Sequence, residues 1–410
     1  MSIISVFSSV FCREEDVLKR LIEETKYDLV RDTDIIREAV RISGISREKM
    51  ERAFSSKTSV FNKFTHERER SIAHLKLALA GMLENNSLII EGFVSQLIPK
   101  EINNVLRVCL IADMKFRTSI ATEEELLSET EAVKLIRKMD EDRAIWIQTI
   151  SNLTDPWNPS LYDIIIPTDK LQDSEIIRLI KENMFKDVLK YSKQTKRAIE
   201  DFKISAGVEV ALAKEGHNVE VKAEDGNLTL TINKHVLMLS RLEEELRKIS
   251  REVPGVKDVI TRVGPGFHQT DIYRKYNFEM PSKVLLVDDE REFVQTLSER
   301  LLMRDMGSAV AYDGESALEL IEEDEPEVMI LDLRMPGIDG IEVLKRVKET
   351  RPNIEVIILT GHGSEEDKEI CMNLGAFAYL HKPVDIDALS ETIKRANEKI
   401  QQDRATRGES

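Results

Sequence analysis

The last third of the sequence alternates short apolar runs with segments of helical period, and this alternation restricts the fold more than any other feature. The runs are rich in β-branched or aromatic residues, as buried strands are. They are residues 283–287, 328–331, 354–359 and 376–380. Strands that alternate with helices form a parallel sheet covered on both faces. The pattern therefore predicts an α/β fold with a doubly wound parallel sheet.

Polar residues stand at the ends of the strands of this predicted sheet. Asp288 and Asp289 follow the first strand, Asp332 the third, Thr360 the fourth and Lys382 the fifth. In open parallel sheets the ligand crevice lies beyond the carboxyl ends of the strands. We therefore expect these five side chains to share one rim of the sheet.

The three carboxylates of this rim would repel one another without a cation. An oxygen-rich cluster open to solvent suits Mg²⁺, which keeps several of its waters. With the metal bound, Asp332 is a candidate nucleophile. A carboxylate that attacks phosphorus builds negative charge, which the metal, the Lys382 ammonium and the Thr360 hydroxyl can stabilise. The rim therefore predicts phosphoryl acceptance on Asp332.

The segments VLLVDDE, MILDLRMPGIDG, VIILTGHG and AFAYLHKPVD resemble the signature segments of the response regulator receiver domain, across about residues 282–400. The resemblance implies a flavodoxin-like fold of strand order 2-1-3-4-5, phosphorylated by a histidine kinase or a phosphotransfer protein. The alternative is another doubly wound domain whose strand-end acids are only solvated. The agreement of the segments in order and spacing disfavours that alternative.

The same resemblance implies a role for each residue of the rim. Asp332 would accept the phosphoryl group, and Mg²⁺ would be held by Asp289, Asp332 and the backbone carbonyl of Arg334, with Asp288 acting through metal-bound water. Thr360 and Tyr379 would form the switch pair, and Lys382 would precede a cis Pro383. The family also implies that two copies of the chain can pair through the receiver.

Composition limits the compartment and the partners. The chain has 410 residues, enough for two to four domains. Its net charge of −16 disfavours nucleic acid or an anionic membrane as the main partner. Cys12, Cys109 and Cys371 are far apart and form no CxxC pair, which suits a reducing cytoplasm. Among the histidines, His362 lies beside the predicted rim, two residues after Thr360.

The two ends of the sequence predict neither a signal nor a membrane-spanning segment. The apolar start, MSIISVFSSVFC, lacks a basic region and is predicted as a strand rather than a signal. No stretch approaches the roughly twenty apolar residues of a membrane span. The polar residues 401–410 predict a flexible tail.

Residues 198–263 predict a small α+β domain. Residues 219–223 and 228–232 alternate apolar and polar side chains around Asp225-Gly226, a strong hairpin signal, and a helix pattern follows over residues 237–249. The segments VEVKAEDGNLTLTI and VPGVKDV resemble the BON domain. That family often has a glycine where this chain has Ile232 and Asn233. BON domains are associated with envelope or membrane binding, but the acidic charge of the chain and the missing signal favour a structural or protein-contact role here. Residues 264–281 predict a linker.

Residues 1–191 show a second alternation of strands and helices, with predicted strands at 3–7, 28–32, 88–90, 106–111 and 162–166. The segments DLVRDTDIIREAVRISGIS, SETEAVKLIRKMDEDRAIWI and DPWNPSLYDIII resemble the cytidylate-kinase-like nucleoside monophosphate kinases. The resemblance implies a P-loop-kinase-like fold, with Asp32, Arg117 and Arg143 at substrate and lid positions. The alternative for these three residues is exposed ion pairs on helix surfaces.

The loop after the first strand departs from a nucleotide kinase. Residues 8–16, SSVFCREED, contain neither the glycines nor the lysine that cradle phosphates. Glu14, Glu15 and Asp16 suit a helix start but repel a nucleotide. Phe93 stands where the family has an arginine after Gly92.

We therefore expect a degenerate kinase domain in a response regulator, whose receiver switches the contacts of the two upstream modules. One alternative is a receiver-regulated cytidylate-like kinase. Another is a scaffold whose receiver serves only as a phosphate sink. Transcriptional output by direct DNA binding is disfavoured because no basic helix-turn-helix pattern is present.

Overall fold

The structure is a computed structural model that describes residues 2–56, 59–85, 87–236, 238–268, 283–361 and 363–407, apart from the side chain of Lys63. Two units divide the chain. The first contains residues 1–58 and 68–273, and the second contains residues 59–67 and 274–410. None of the helices in the described residues is both long and apolar enough to cross a lipid bilayer.

A five-stranded parallel sheet lies at the centre of the first unit, in the order β2-β3-β1-β4-β5. Its strands are β1 (Ile3–Ser8), β2 (Asp28–Arg31), β3 (Leu88–Glu91), β4 (Val105–Ile111) and β5 (Ile164–Pro167). Every residue of β1 is buried because this central strand is covered on both faces. Alternate residues point to opposite faces of a strand, so Ile3 and Phe7 join one apolar cluster and Ile4 and Val6 another.

Helices cover both faces of this sheet. They are α1 (Glu14–Thr25), α2 (Asp32–Ser43), α3 (Arg47–Arg52), α5 (Glu67–Met82), α6 (Met114–Glu124), α7 (Glu129–Ser151) and α8 (Asp173–Met184). A 3₁₀ helix, Phe93–Leu97, follows β3. The five strands predicted from the sequence are all present, with end points that differ by one or two residues. Asp32 is the main difference, since it begins α2 instead of ending β2.

A three-stranded sheet completes the first unit, with α9 (Lys193–Lys214) and α10 (Leu239–Arg251) packed on it. Its strands β6 (Glu220–Glu224), β7 (Asn227–Ile232) and β8 (Asp258–Val263) lie in that order. The predicted hairpin joins β6 to the antiparallel β7. Asp225 and Gly226 have φ angles of 51° and 78°, and positive values at both positions are those of a tight two-residue hairpin turn.

Helix α9 begins within the predicted boundary between the first two domains, residues 191–197, and continues to residue 214. Its Ile199 and Phe202 pack in the core of the large sheet, whereas Val208 and Leu212 pack on the small sheet. One continuous helix therefore serves both sheets. Of the predicted linker, residues 265–268 form a 3₁₀ turn, and residues 269–281 lie outside the described part of the chain.

The second unit has a five-stranded parallel sheet in the order β10-β9-β11-β12-β13. This is the flavodoxin-like order 2-1-3-4-5 that the sequence predicts. The strands are β9 (Val284–Val287), β10 (Ser308–Ala311), β11 (Val328–Leu331), β12 (Glu355–Thr360) and β13 (Ala378–His381). The helices are α4 (Asn62–Thr65), α11 (Arg291–Leu302), α12 (Gly314–Glu323), α13 (Gly340–Thr350), α14 (Glu365–Asn373) and α15 (Ile386–Arg407).

The last helix extends past residue 401, where the sequence predicts a flexible tail. Two ion pairs hold its second half on the sheet. The Lys399 ammonium lies 2.6 Å from Glu355, and Arg404 lies 3.3 Å from Glu327. Only residues 408–410 of the predicted tail fall outside the described chain.

Candidate functional site

Four strands of the second unit bring polar residues to one rim of the sheet. Strands β9 and β11 are neighbours and Val287 pairs with Leu331, so the next residues, Asp288 and Asp332, lie side by side. The backbone N–H of Asp332 donates to the carbonyl of Val287 at 2.9 Å. On the other side of β11, Thr360 ends β12, and its carbonyl accepts the N–H of Lys382 at 2.9 Å.

The carboxylates of Asp288, Asp289 and Asp332 form a cluster whose ligand atoms lie within 4.8 Å of one another. Asp288 and Asp332 are buried, while Asp289 is exposed. The Oδ1 atom of Asp332 is buried and accepts no hydrogen bond from any described residue. A buried carboxylate oxygen without a donor requires a cation or water. This donor set therefore fits Mg²⁺, which prefers carboxylate oxygens and retained waters.

Lys382 balances the charge of the cluster. Its Nζ lies 2.6 Å from Asp288, 3.0 Å from Glu290 and 4.0 Å from Asp332, and it stands 4.4 Å from the centre of the Phe293 ring. Burial opposes the charged ammonium, but the hydrogen bonds and charges of these acids outweigh burial and raise the pKa of Lys382. The lysine is therefore protonated at neutral pH.

Burial is also the main influence on Asp288. It raises the pKa of Asp288, although Lys382 and the N–H of Glu290 act in the opposite direction. That N–H donates to Asp288 at 3.0 Å. Glu290 thus holds both Asp288 and Lys382, a role that the sequence reasoning missed. Its position directly after the Asp288-Asp289 pair was the available signal.

Gly340 fixes the backbone at Asp332. A Cβ atom at Gly340 would lie 2.1 Å from the carbonyl oxygen of Asp332, so only glycine permits this approach. The N–H of Gly340 donates to the carbonyl of Leu333 at 2.9 Å. The start of α13 therefore packs directly on the backbone that presents Asp332.

The other predicted residues surround this cluster. Thr360 is buried, and Arg334 is exposed in the loop after Asp332. Tyr379 is half-buried against the core. Its hydroxyl has no hydrogen-bond partner among the described residues, and burial raises the pKa of Tyr379. The Lys382–Pro383 peptide bond is cis, as the resemblance implies. His362 lies outside the described residues.

In the first unit, the loop after β1 is held by the protein's own side chains. The Glu14 carboxylate accepts the N–H of Cys12 at 3.0 Å. Arg143 donates from Nε to the carbonyl of Ser8, and Arg117 donates from Nε to the carbonyl of Val10, each at 2.8 Å. The Cys12 N–H, which a phosphate-binding loop would direct at a nucleotide, is thus bound to a carboxylate.

The alternative that Asp32 and Arg117 form exposed surface ion pairs is wrong. Arg117 is buried and binds Asp140 through two hydrogen bonds of 2.9 and 2.7 Å. Asp32 accepts the N–H groups of Phe93 and Val94, both at 2.9 Å. Burial raises the pKa of Asp32 to about 6. Both side chains hold local backbone or a neighbouring helix in place.

Arg143 and Phe93 also have structural contacts. The Arg143 guanidinium lies 5.2 Å from the centre of the Phe93 ring. Phe93 stacks on Phe54 with ring centres 5.2 Å apart, and its carbonyl accepts the indole N–H of Trp146 at 2.8 Å. An aromatic cluster therefore occupies the position where the family resemblance predicts an arginine.

Glu91, at the end of β3, adds negative charge to this part of the first unit. Burial, and secondly the nearby Asp32, raise the pKa of Glu91 to about 7. The carboxyl end of this sheet thus carries two acids, Asp32 and Glu91, which are negatively charged whenever they are ionised. Such a surface is unfavourable for an anionic nucleotide.

Comparisons with known proteins match the two parts of the chain separately. The model of the response regulator receiver domain matches residues 284–394, and the model of the cytidylate kinase-like family matches residues 3–170. A receiver domain structure from Clostridium thermocellum is 33% identical and covers 29% of this chain and 97% of its own, with a TM-score of 0.29.

Two curated relatives match the C-terminal part. Sporulation initiation phosphotransferase F of Bacillus subtilis is 35% identical over 116 residues, which are 28% of this chain and 94% of that protein. Transcriptional regulatory protein CpxR of Escherichia coli is 44% identical over 102 residues, which are 25% of this chain and 43% of that protein. The chain thus spans almost all of the first relative and less than half of the second.

Proposed function

Because the chain belongs to the response regulator receiver domain family through its C-terminal part, we propose that it accepts a phosphoryl group on Asp332 from a histidine kinase or a phosphotransfer protein. The observation that carries this proposal is the Asp332 carboxylate: its buried Oδ1 accepts no hydrogen bond from the described residues, and it clusters with two other acids beside the Lys382 ammonium. The proposed nucleophile is the carboxylate of Asp332.

The chain's own residues supply most of what the transfer needs. Asp288, Asp289, Asp332 and the backbone carbonyl of Arg334 are the proposed holders of Mg²⁺, with Asp288 acting through water. Bound Mg²⁺ supplies positive charge to the oxygens of the transferring phosphoryl group. The Asp332 oxygen forms a bond to phosphorus while the bond from phosphorus to the donor breaks, and the donor leaves with that electron pair. Lys382 stays protonated and balances the added charge.

The proposed readout is a switch at Thr360 and Tyr379. The new phosphoryl oxygens attract the Thr360 hydroxyl, and the Tyr379 ring then shifts into the space that the threonine leaves. This shift changes the face formed by α14, β13 and α15. A partner, or a second copy of the chain, binds that face.

For the upstream part we propose a kinase-like domain over residues 1–191 that does not transfer phosphate, and a BON-like contact module over residues 198–263, with the linker at 264–281. The occupied loop after β1 supports the first assignment. The hairpin and the three-stranded sheet support the second. The three cysteines are free thiols, which suits the proposed cytoplasmic location.

Phosphorylation of the full-length protein by a small donor tests the main proposal. We expect acetyl phosphate to label the protein with Mg²⁺ present, and labelling to stop when EDTA is added. The label should be lost in Asp332→Asn. The matched control is Asp403→Asn, an exposed aspartate of α15, which should label normally. Persistent label on Asp332→Asn would refute the assignment of the acceptor.

A further inference from the structure

The second unit contains a short segment from the kinase-like part of the chain, residues 59–67. It includes α4, and both of its ends continue into the first unit. Within the second unit it contacts Lys283, Gly307 and Asp324. Lys283 and Gly307 directly precede β9 and β10, and Asp324 lies just before β11. The segment therefore occupies the amino ends of the strands, opposite the rim that carries Asp332.

Charged and polar contacts fix the segment at this edge. The Lys283 ammonium lies 2.9 Å from Glu67 of the segment and 3.1 Å from Asp324. The Ser59 hydroxyl donates to the other oxygen of Asp324 at 2.6 Å. Lys283 and Asp324 are buried. A buried ion pair is strongly disturbed when one partner is removed, because the other charge is left uncompensated.

Aromatic contacts complete the docking. Phe61 is fully buried and lies with its ring centre 5.9 Å from the Lys283 ammonium. Phe64 packs on Gly307 so closely that a Cβ atom at Gly307 would lie 2.1 Å from Cγ of the phenylalanine ring. Position 307 therefore has to be glycine for the ring to lie there. This amino-terminal edge of the receiver sheet is shaped to receive residues 59–67.

The segment continues along the chain into the core of the first unit, and the sheet edge that it contacts continues into the strands that carry Asp288 and Asp332. Glu67 is the first residue of α5, and Leu75 and Leu79 of that helix belong to the core of the first unit. On the receiver side, the four-residue strands β9 and β11 lead from this edge to Asp288 and Asp332. At about 3.3 Å per residue, the two edges are separated by roughly 15 Å of rigid, buried strand.

We propose that the amino-terminal edge of the receiver sheet is a docking surface for residues 59–67. We further propose that this contact links the phosphorylation state of Asp332 to the kinase-like part of the first unit. The proposal rests on phosphorylation of Asp332. Such coupling is reciprocal. If phosphorylation of Asp332 changes how strongly residues 59–67 dock, docking changes the free energy of phosphorylation by the same amount.

Hydrogen exchange of the full-length protein tests the docking itself. Gly307→Ala should raise amide exchange over residues 59–67 at least tenfold, because the new methyl group displaces Phe64. The matched control is Gly81→Ala in α5, where a Cβ atom meets nothing within 4 Å. Glu67→Gln changes the contact from the segment side and should raise exchange in the same way, so the result does not depend on one variant. Unchanged exchange in both variants would refute docking.

Beryllofluoride with Mg²⁺, which mimics the phosphoryl group, tests the link. In the unaltered protein it should change exchange over residues 59–67, and in Gly307→Ala this response should disappear. Acetyl phosphate labelling of Gly307→Ala on Asp332 checks that the receiver remains folded and active. If Asp332 is labelled in the unaltered protein but exchange over residues 59–67 does not respond, the link is wrong and the phosphorylation proposal stands. Absence of labelling would instead refute the phosphorylation proposal.

Discussion

The ammonium of Lys382 lies 2.6 Å from Asp288 and 4.0 Å from Asp332. The lysine is thus bound to the acid beside the proposed nucleophile, and only loosely to the nucleophile itself. Glu290 also accepts from Lys382 at 3.0 Å, so Asp288 and Glu290 are the main partners of the ammonium. The Asp332 carboxylate thus keeps an oxygen, Oδ1, to which no described residue donates a hydrogen bond.

The same arrangement predicts competition between Lys382 and Mg²⁺. Lys382→Met removes a positive charge from the carboxylate cluster, so we expect tighter Mg²⁺ binding by about tenfold, equivalent to about 1.4 kcal/mol. Isothermal titration calorimetry with Mg²⁺ measures this. The matched control is Lys399→Met in α15, which removes an ammonium bound to Glu355 of β12. Equal or weaker Mg²⁺ binding by Lys382→Met would contradict the prediction.

The strand-end residues of the rim could be predicted from the sequence because parallel strands place their carboxyl ends together whatever the details of packing. The role of Glu290 was missed because it depends on side-chain direction beyond the strand end. Burial of Asp32 and Arg117 was missed because each depends on a partner distant in sequence. Asp32 binds the N–H of Phe93, 61 positions later, and Arg117 binds Asp140, 23 positions later. Residues 59–67 gave no periodic signal for their partners, since Ser59 contacts Asp324 across 265 positions.

The Tyr379 switch predicts a specific effect at Gly363. A Cβ atom at Gly363 would lie 1.6 Å from the Tyr379 hydroxyl and 3.0 Å from Cγ2 of Thr360. Gly363→Ala therefore forces the ring out of its position. We expect Asp332 to be labelled by acetyl phosphate while the response of residues 364–400 to beryllofluoride is lost.

Hydrogen exchange with and without beryllofluoride measures that response. The control is Gly361→Ala, whose Cβ atom would lie 3.9 Å from Lys382 and make ordinary contact. It should keep the response. An unchanged response in Gly363→Ala would show that the Tyr379 ring does not carry the switch.

Glu91 predicts that the stability of the first unit depends on pH. Burial raises its pKa in the folded protein from the ordinary 4.5 to about 7. A carboxyl group with a raised pKa binds its proton more tightly in the folded state, so its stabilising effect is complete below about pH 4.5 and is lost as pH rises through 7. The free energy of unfolding should therefore fall between pH 5 and pH 8.

Glu91→Gln should remove most of this dependence and stabilise the protein at pH 8, by roughly 1 to 3 kcal/mol since one pKa unit is about 1.4 kcal/mol. Asp32, with a pKa of about 6, contributes in the same direction. Urea unfolding at pH 5 and pH 8 measures the difference. The exposed Glu129→Gln serves as control. The assignment would be contradicted if the free energy of unfolding of Glu91→Gln differed from that of the unaltered protein by the same amount at pH 5 and at pH 8.

The last prediction is that the full-length protein has no nucleoside monophosphate kinase activity. The N–H of Cys12 is bound to Glu14, and the loop has no lysine to hold a triphosphate. Each 1.4 kcal/mol or so of lost transition-state stabilisation slows the reaction about tenfold. A coupled assay of ADP release with CMP, dCMP, UMP and AMP as acceptors measures turnover.

Arg143→Ala should instead lower the melting temperature by a few degrees, because Arg143 binds the carbonyl of Ser8. Arg137→Ala, an exposed change on the same helix, should not. Turnover of about one per second that is lost in Arg143→Ala would identify an active kinase.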